Sequence, residues 1–285
     1  MAIVLAMSGG CGRVAFDLRG DASVTNPDAA VDATLVGLWT PPTLVVLPVT
    51  GADDDPSLTS DLLELYFNRD GNEIFRAVRG AATDAWGTPV SVAEINAGGG
   101  GNTVPEVSGD GLQLYWSSSR GGGSGGLDVH SATRPPGTVP WLSLANEMAL
   151  NSSANDYGGS YTSDHLHVVI SSNVGGGDYD IYESVRATPD ISWSPPTLQP
   201  NLATAGIEDE PFISLDGLTL YYTGPGDDLH VATRTSVTDP FAAGTPITEL
   251  LSAGADRDPW VSTDGRYIMF ASDRSGQSRL YESTR

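Results

Sequence analysis

Asp256–Ser272 reads DRDPWVSTDGRYIMFAS, and Glu208–Gly224 reads EDEPFISLDGLTLYYTG. Both open on clustered acids and a proline, pass an Asp-Gly pair and continue into an aromatic segment. Aligned on the turn aspartate, the chain yields five copies: PSLTSDLLELYF, PEVSGDGLQLYW, GSYTSDHLHVVI, PFISLDGLTLYY and PWVSTDGRYIMF. Asp61, Asp110, Asp164, Asp216 and Asp264 then recur at steps of 49, 54, 52 and 48 residues. A period near fifty lies in the range of propeller blades.

Each unit reads as a strand, an Asp-Gly-type turn, a second strand, a Gly-rich turn and a third strand. LTLYY and RYIMF alternate with the period of two expected of half-buried strands. Asp-Gly between such segments signals a hairpin in which both turn residues take positive φ. The third strands, EIFRAVR, LDVHSATR, DIYESVR, DLHVATR and RLYESTR, end on Arg79, Arg134, Arg186, Arg234 and Arg285. A fourth strand follows an aromatic marker: Trp86, Trp141, Trp193 or Phe241. The fifth unit has none after it, but WTPPTLVVLP, from Trp39, stands ahead of the first unit and supplies the missing piece. A strand borrowed this way closes a ring and pairs two edges otherwise open to aggregation. The expectation is an all-β, five-bladed β-propeller over residues 38–285, with four-stranded antiparallel blades and the last blade closed by the N-terminal strand. Residues 12–37 read as a linker. A sixth blade would need a degenerate unit at 14–37, where NPDAAVDA carries only loop signals.

The units resemble the WD40-like PD40 repeats of TolB-type propellers over residues 39–285. The matching residues are DRDPWVSTDGRYIMFASDRSG from Asp256 and NRDGNEIF from Asn68. The resemblance implies a binding platform of the bacterial periplasm or cell surface, of a kind sometimes appended to peptidases.

Composition narrows the partners. The 285 residues carry a formal net charge of −22, and all 14 basic residues are arginine. Nucleic acid is excluded, because a duplex-binding surface needs clustered basic groups to displace counterions. An envelope protein or a glycan is expected instead, bound by a monomer; the charge also solubilises the chain. Cys11 is the one cysteine, so no intrachain disulfide forms. It sits in AIVLAMSGGCGR, which resembles the end of a bacterial lipoprotein signal over residues 1–11, with Cys11 as the lipidated residue. The apolar run is short, no positive charge precedes it, and Ser8 stands where that pattern has leucine. No stretch approaches the roughly 20 apolar residues of a membrane span, so the expected place is the cell envelope, lipid-anchored rather than spanning.

Repetition separates scaffold from site. The five closing arginines read as a structural ion pair or hydrogen bond made five times. His130 and His230 fill the aromatic slot of Phe75, Tyr182 and Tyr281. His165 takes the turn-glycine slot, and His167 lies two residues on; an H-x-H pair without a third ligand is a weak metal signal. Trp116 and Trp260 fill slots that other units give to Phe67, Tyr222 and Phe270, and to Phe212, so both read as core. No nucleophile elbow, phosphate loop or zinc-protease motif occurs.

The acids ahead of each first strand stand apart. The first strand of a blade is innermost, so Asp55, Glu106, Asp156, Glu210 and Asp258 are the candidate ligand-binding residues, a carboxylate ring at one mouth of the channel. Such a ring suits a divalent cation or a basic side chain. On the other reading these acids cap turns beside the repeated arginines. No organic cofactor is implied. A non-enzymatic binding platform is the expected function. The alternatives are a glycoside hydrolase using two mouth carboxylates and a structural surface protein with no small-molecule site.

Overall fold

The computed structural model describes residues 38–49 and 51–285. The lipidation site expected at Cys11 and the linker at 12–37 fall outside those residues. Strand β1 (Thr43–Leu44) precedes the repeats. Blade one holds β2 (Asp53–Leu58), β3 (Glu64–Arg69), β4 (Glu73–Val78) and β5 (Val90–Ser91); one helical turn, α1 (Ala93–Asn96), follows it. Blade two holds β6 (Asn102–Val107), β7 (Gln113–Ser118), β8 (Asp128–Thr133) and β9 (Leu142–Asn146). Blade three holds β10 (Asp156–Tyr161), β11 (His167–Ser172), β12 (Asp180–Val185) and β13 (Thr197–Leu198). Blade four holds β14 (Asp209–Ile213), β15 (Thr219–Gly224), β16 (Asp228–Thr233) and β17 (Thr245–Pro246). The last sheet runs β1-β20-β19-β18, with β18 (Asp256–Val261), β19 (Tyr267–Ser272) and β20 (Arg279–Thr284). Five four-stranded antiparallel sheets therefore form a five-bladed propeller, as the repeat predicts.

Closure is built from the borrowed strand. Thr43 pairs with Glu282 and Leu44 with Tyr281. The Val45 N–H donates to Leu280 O at 2.9 Å and the Thr40 N–H to Thr284 O at 2.8 Å. Trp39, Val45 and Leu47 are buried in the same core cluster as Leu280 and Tyr281.

The closing arginines do the same thing five times. The Nε of Arg79, Arg134, Arg186, Arg234 and Arg285 donates to the carbonyl of Leu62, Gly111, His165, Gly217 and Gly265 respectively, at 2.5–2.7 Å. Each guanidinium also lies 4.0–4.6 Å from the ring centre of the aromatic marker: Trp86, Trp141, Trp193, Phe241 or Trp39. This cation–π stack explains why arginine and aromatic markers recur together. Arg234 adds a two-pronged pair to Glu183, 2.9 Å on each arm.

Two local expectations need correction. The turn aspartates do not take positive φ; Leu62, Gly111, His165, Gly217 and Gly265, one residue on, do. Each aspartate instead accepts from its Ser or Thr two residues back and from the N–H two residues on, as Asp61 does from Thr59 Oγ1 at 2.6 Å and Leu63 N at 3.0 Å. The loop is thus longer than a two-residue turn, and Asp is chosen for its side-chain acceptor. The second strands are also not half-buried: β3, β7, β11, β15 and β19 are buried at nearly every position. Each is covered by a neighbouring blade on either face, so both sets of alternating side chains are core.

Candidate functional site

The innermost strands β2, β6, β10, β14 and β18 share one irregularity. Counted from Asp53, Asn102, Asp156, Glu208 and Asp256 as position one, their pairing with the second strand slips around the third and fourth positions. At the third position Asp55, Val104, Gly158, Glu210 and Asp258 all take positive φ, between 48° and 91°. An extra residue in a left-handed conformation is the signature of a bulge, which re-aims the side chain there. Proline follows in four of the five, and Gly159 in blade three. Beyond the bulge, a fifth position also faces the axis: Ser57, Glu106, Ser160, Phe212 and Trp260.

That geometry breaks the expected ring of acids. Asp55, Glu210 and Asp258 occupy the bulge of blades one, four and five, which are consecutive around the ring. Blades two and three offer Val104 and Gly158 instead. Glu106 reaches the axis from the fifth position, two residues deeper. Asp156 does not line the channel. It is the first residue of its strand, the slot of Asp53, Asn102, Glu208 and Asp256, and it accepts from Ser152 N at 2.7 Å and Ser152 Oγ. That slot is scaffold: Asp53 pairs with Arg69 at 2.6 Å and Asp256 with Arg274 at 2.5 Å.

The acids collect in a narrow chamber of about 30 Å³. Asp55 Oδ2 accepts from Asn68 Nδ2 at 2.5 Å, Thr103 Oγ1 at 2.6 Å and Val104 N at 2.9 Å. The Asp55 N–H donates to Asp258 Oδ2 at 3.4 Å, while Asp258 Oδ1 is buried with no hydrogen-bond partner. Burial, then the neighbouring Asp54, push Asp55 up to about 7. Burial raises Asp209 to about 6. Burial, then Asp209, Asp55 and Asp54, hold Glu210 well above the ordinary carboxylate range, with Arg257 pulling the other way. Asp54, Asp55 and Asp258 each offer an oxygen within 4.8 Å of the others. These oxygens are the donor set of a hard cation such as calcium, and a chamber this size holds an ion or a water, not a sugar ring.

A second cavity, of about 400 Å³, opens at the opposite mouth, where the hairpins between the first and second strands lie. All five blades line it. Leu58, Val107, Tyr161, Ile213 and Val261 form its apolar wall, and Ser60, Gly109, Ser163, Leu215 and Thr263 form its rim. Glu106, Phe212 and Trp260 form its floor, and Glu106 and Phe212 also border the acid chamber beneath it. Burial pushes the Glu106 carboxyl up to about 8, opposed by hydrogen bonds from Ser57 and Ser160. Part of its surface remains reachable from the cavity.

The other candidates settle as follows. Trp116 is fully buried and stacks on His130 at 5.6 Å, and Tyr222 stacks on His230 at 5.5 Å, so both histidines fill the aromatic slot as expected. Trp260 is buried against Phe212, ring centres 6.0 Å apart, but it also lines the cavity, which slot-matching missed. His167 pairs with Glu183 at 2.8 Å and His165 lines the cavity, so the H-x-H pair does not converge on a metal. Tyr161 and His165 were not signalled by the repeat as site residues. Tyr161 has a signal in position: it is the sixth residue counted from Asp156, a slot that lines the cavity in all five blades, whereas His165 alone of its turn slot does so.

No known protein family matches the chain, and no curated protein matches it by sequence. Similar solved structures include a thermostable family-43 glycoside hydrolase, 13% identical with a TM-score of 0.62, covering 85% of this chain and 91% of that one. The α-L-arabinofuranosidase of Podospora anserina, in complex with cellotriose, is 12% identical with a TM-score of 0.59, covering 87% and 96%. A putative TolB from Agrobacterium tumefaciens is 18% identical with a TM-score of 0.48, covering 79% and 71%. No helix among the described residues is long and apolar enough to cross a membrane. What the two hydrolase likenesses show is the shared fold, a five-bladed propeller.

Proposed function

We propose that this propeller is a non-enzymatic binding module that receives a segment of a partner protein in the cavity of its hairpin face. The observation that carries this is the contrast in room at the two mouths. About 400 Å³ lined by apolar and aromatic side chains lies within the range of ligand sites, whereas about 30 Å³ does not. An apolar wall under a rim that carries the hydroxyls of Ser60, Ser163 and Thr263 suits an inserted side chain whose neighbours hydrogen-bond at the edge. The lipoprotein-like stretch ending at Cys11 supports placing the module at the bacterial cell envelope, tethered rather than spanning.

Raised carboxyls at the other mouth favour a second reading, glycoside hydrolysis, since an acid held protonated near neutrality is what that chemistry uses. The space beside them weighs against it. Asp55 Oδ2 is also occupied by three scaffold donors.

The test is capture from envelope extract, with a glycan array run in parallel. Wild-type protein is expected to retain a partner, and Thr263→Trp, which fills the rim at an exposed position, to lose it with an unchanged melting temperature. Undiminished capture by Thr263→Trp, or a wild type that retains only glycans, would overturn the proposal.

A further inference from the structure

The fifth position of the innermost strands reads Ser57, Glu106, Ser160, Phe212 and Trp260 in ring order. In a five-membered ring the second position stands opposite the edge between the fourth and fifth. Glu106 therefore faces the Phe212–Trp260 pair across the floor of the hairpin-face cavity, flanked by two serines. Ser60, Ser108, Thr162, Ser163 and Thr263 add hydroxyls to the lining. Asp110 lies on the wall, already taken up by Ser108 Oγ and Leu112 N. Tyr161 is buried and its hydroxyl has no partner; His165 Nδ1 is likewise buried and unpartnered. Among the described residues no arginine lines the cavity, and the chain has no lysine.

From this juxtaposition we propose that the cavity selects an organic cation, an alkyl guanidinium or ammonium group, seated between Glu106 and the faces of Phe212 and Trp260. A carboxylate on one side and two aromatic rings on the other stabilise such a head by charge and by cation–π attraction, and the apolar wall covers its stem. A net charge of −22 draws such a ligand in. The proposal rests on the hairpin-face reading for its site. Its cation arrives on a partner's arginine or lysine, or as a free small molecule.

The probes are agmatine, its neutral isostere N-butylurea, and the capped tripeptide acetyl-Gly-Arg-Gly-amide, titrated calorimetrically and by the Trp260 indole NMR signal. Agmatine is expected to bind and shift that signal, with N-butylurea at least tenfold weaker. Glu106→Gln, which keeps shape and removes a buried ionisable group, is expected to weaken agmatine at least tenfold and leave N-butylurea unchanged. Phe212→Leu, a second variant, is expected to weaken agmatine while retaining Glu106. Binding is also expected to weaken about fivefold from pH 8 to pH 7, because the seated cation requires ionised Glu106. The titratable groups facing it are Tyr161 and His165 from blade three, Asp110 from its own blade, and Asp55, Glu210 and Asp258 in the chamber below. Equal binding of N-butylurea, undiminished binding to Glu106→Gln, or no binding of any cation overturns the proposal. Agmatine binding more than tenfold tighter than the tripeptide would keep the cation site and remove the partner-segment reading. A captured partner with no cation binding would do the reverse.

Discussion

Trp39→Ala is expected to lower the melting temperature by about 10 °C and to release the closing strand to protease. Trp39 is 6% exposed and stacks under the Arg285 guanidinium at 4.1 Å. Truncating a buried tryptophan costs about 3–5 kcal/mol, and in a domain this size each kcal/mol moves the midpoint by about 2–4 °C. Its consequences go beyond packing. β1 contributes only two ladder pairs to the last blade, Thr43–Glu282 and Leu44–Tyr281. With Trp39 gone, Val45 and Leu47 are the main apolar anchors left to that strand. The matched control is Trp193→Ala in blade three, which loses an equivalent stack on Arg186, at 4.0 Å, without opening the ring. Both variants should melt early; only Trp39→Ala should be clipped near residues 38–48 at low temperature. A shift below about 2 °C, or identical protease patterns, would show that the closing strand does not hold the ring.

The second large effect is a loss of stability as pH rises. Asp55 is raised to about 7 and Glu106 to about 8, so the folded chain binds more protons than the unfolded one above the ordinary carboxylate range. The stability these groups contribute is complete below about pH 4 and is lost as pH climbs through 7 and 8. Glu64 and Glu183, lowered by their arginine partners, act with the opposite sign but only at acid pH. His130 and His165, lowered chiefly by burial, oppose it only below about 6.5. Between pH 6.5 and 8.5 the buried acids dominate, and the expected loss is about 2–3 kcal/mol, or about 5–10 °C in melting temperature. The measurement needs a chelator throughout, because a cation held by Asp54, Asp55 and Asp258 would favour their ionised forms. The Asp55→Asn/Glu106→Gln double variant should flatten the profile. A wild-type melting temperature that is level or rising over this range would contradict the burial of these acids.

The fold was legible because it is repeated. A fifty-residue period, a displaced Trp39–Pro48 segment and five aromatic markers for five units together point to a closed ring, and each is local in sequence; that the closing arginines stack on those markers was not legible there. The acidic site was legible only in part. Acids were grouped by nearness to each strand, which merged three structural slots: Asp156 from the buried first position, Asp55, Glu210 and Asp258 from the bulge, and Glu106 from the axis-facing fifth. Aligning instead on Asp55-Pro56, Val104-Pro105, Glu210-Pro211 and Asp258-Pro259 separates them, because proline marks the residue after the bulge. The fifth position then stands out as a varied slot facing the axis, where Trp260 is both part of the core and part of the cavity lining. What no alignment within the chain could supply is volume. Which mouth is open depends on side chains from all five blades meeting at the axis.

The central claim is that partners enter at the hairpin face. Its most direct measurement is photo-crosslinking in envelope extract, with benzoylphenylalanine placed at Thr263 on the hairpin rim or at exposed Gln277 on the acid side. The expected result is a discrete crosslinked partner from position 263 that disappears when agmatine is added in excess, and none from position 277. A partner crosslinked from 277 and not from 263 would contradict the account.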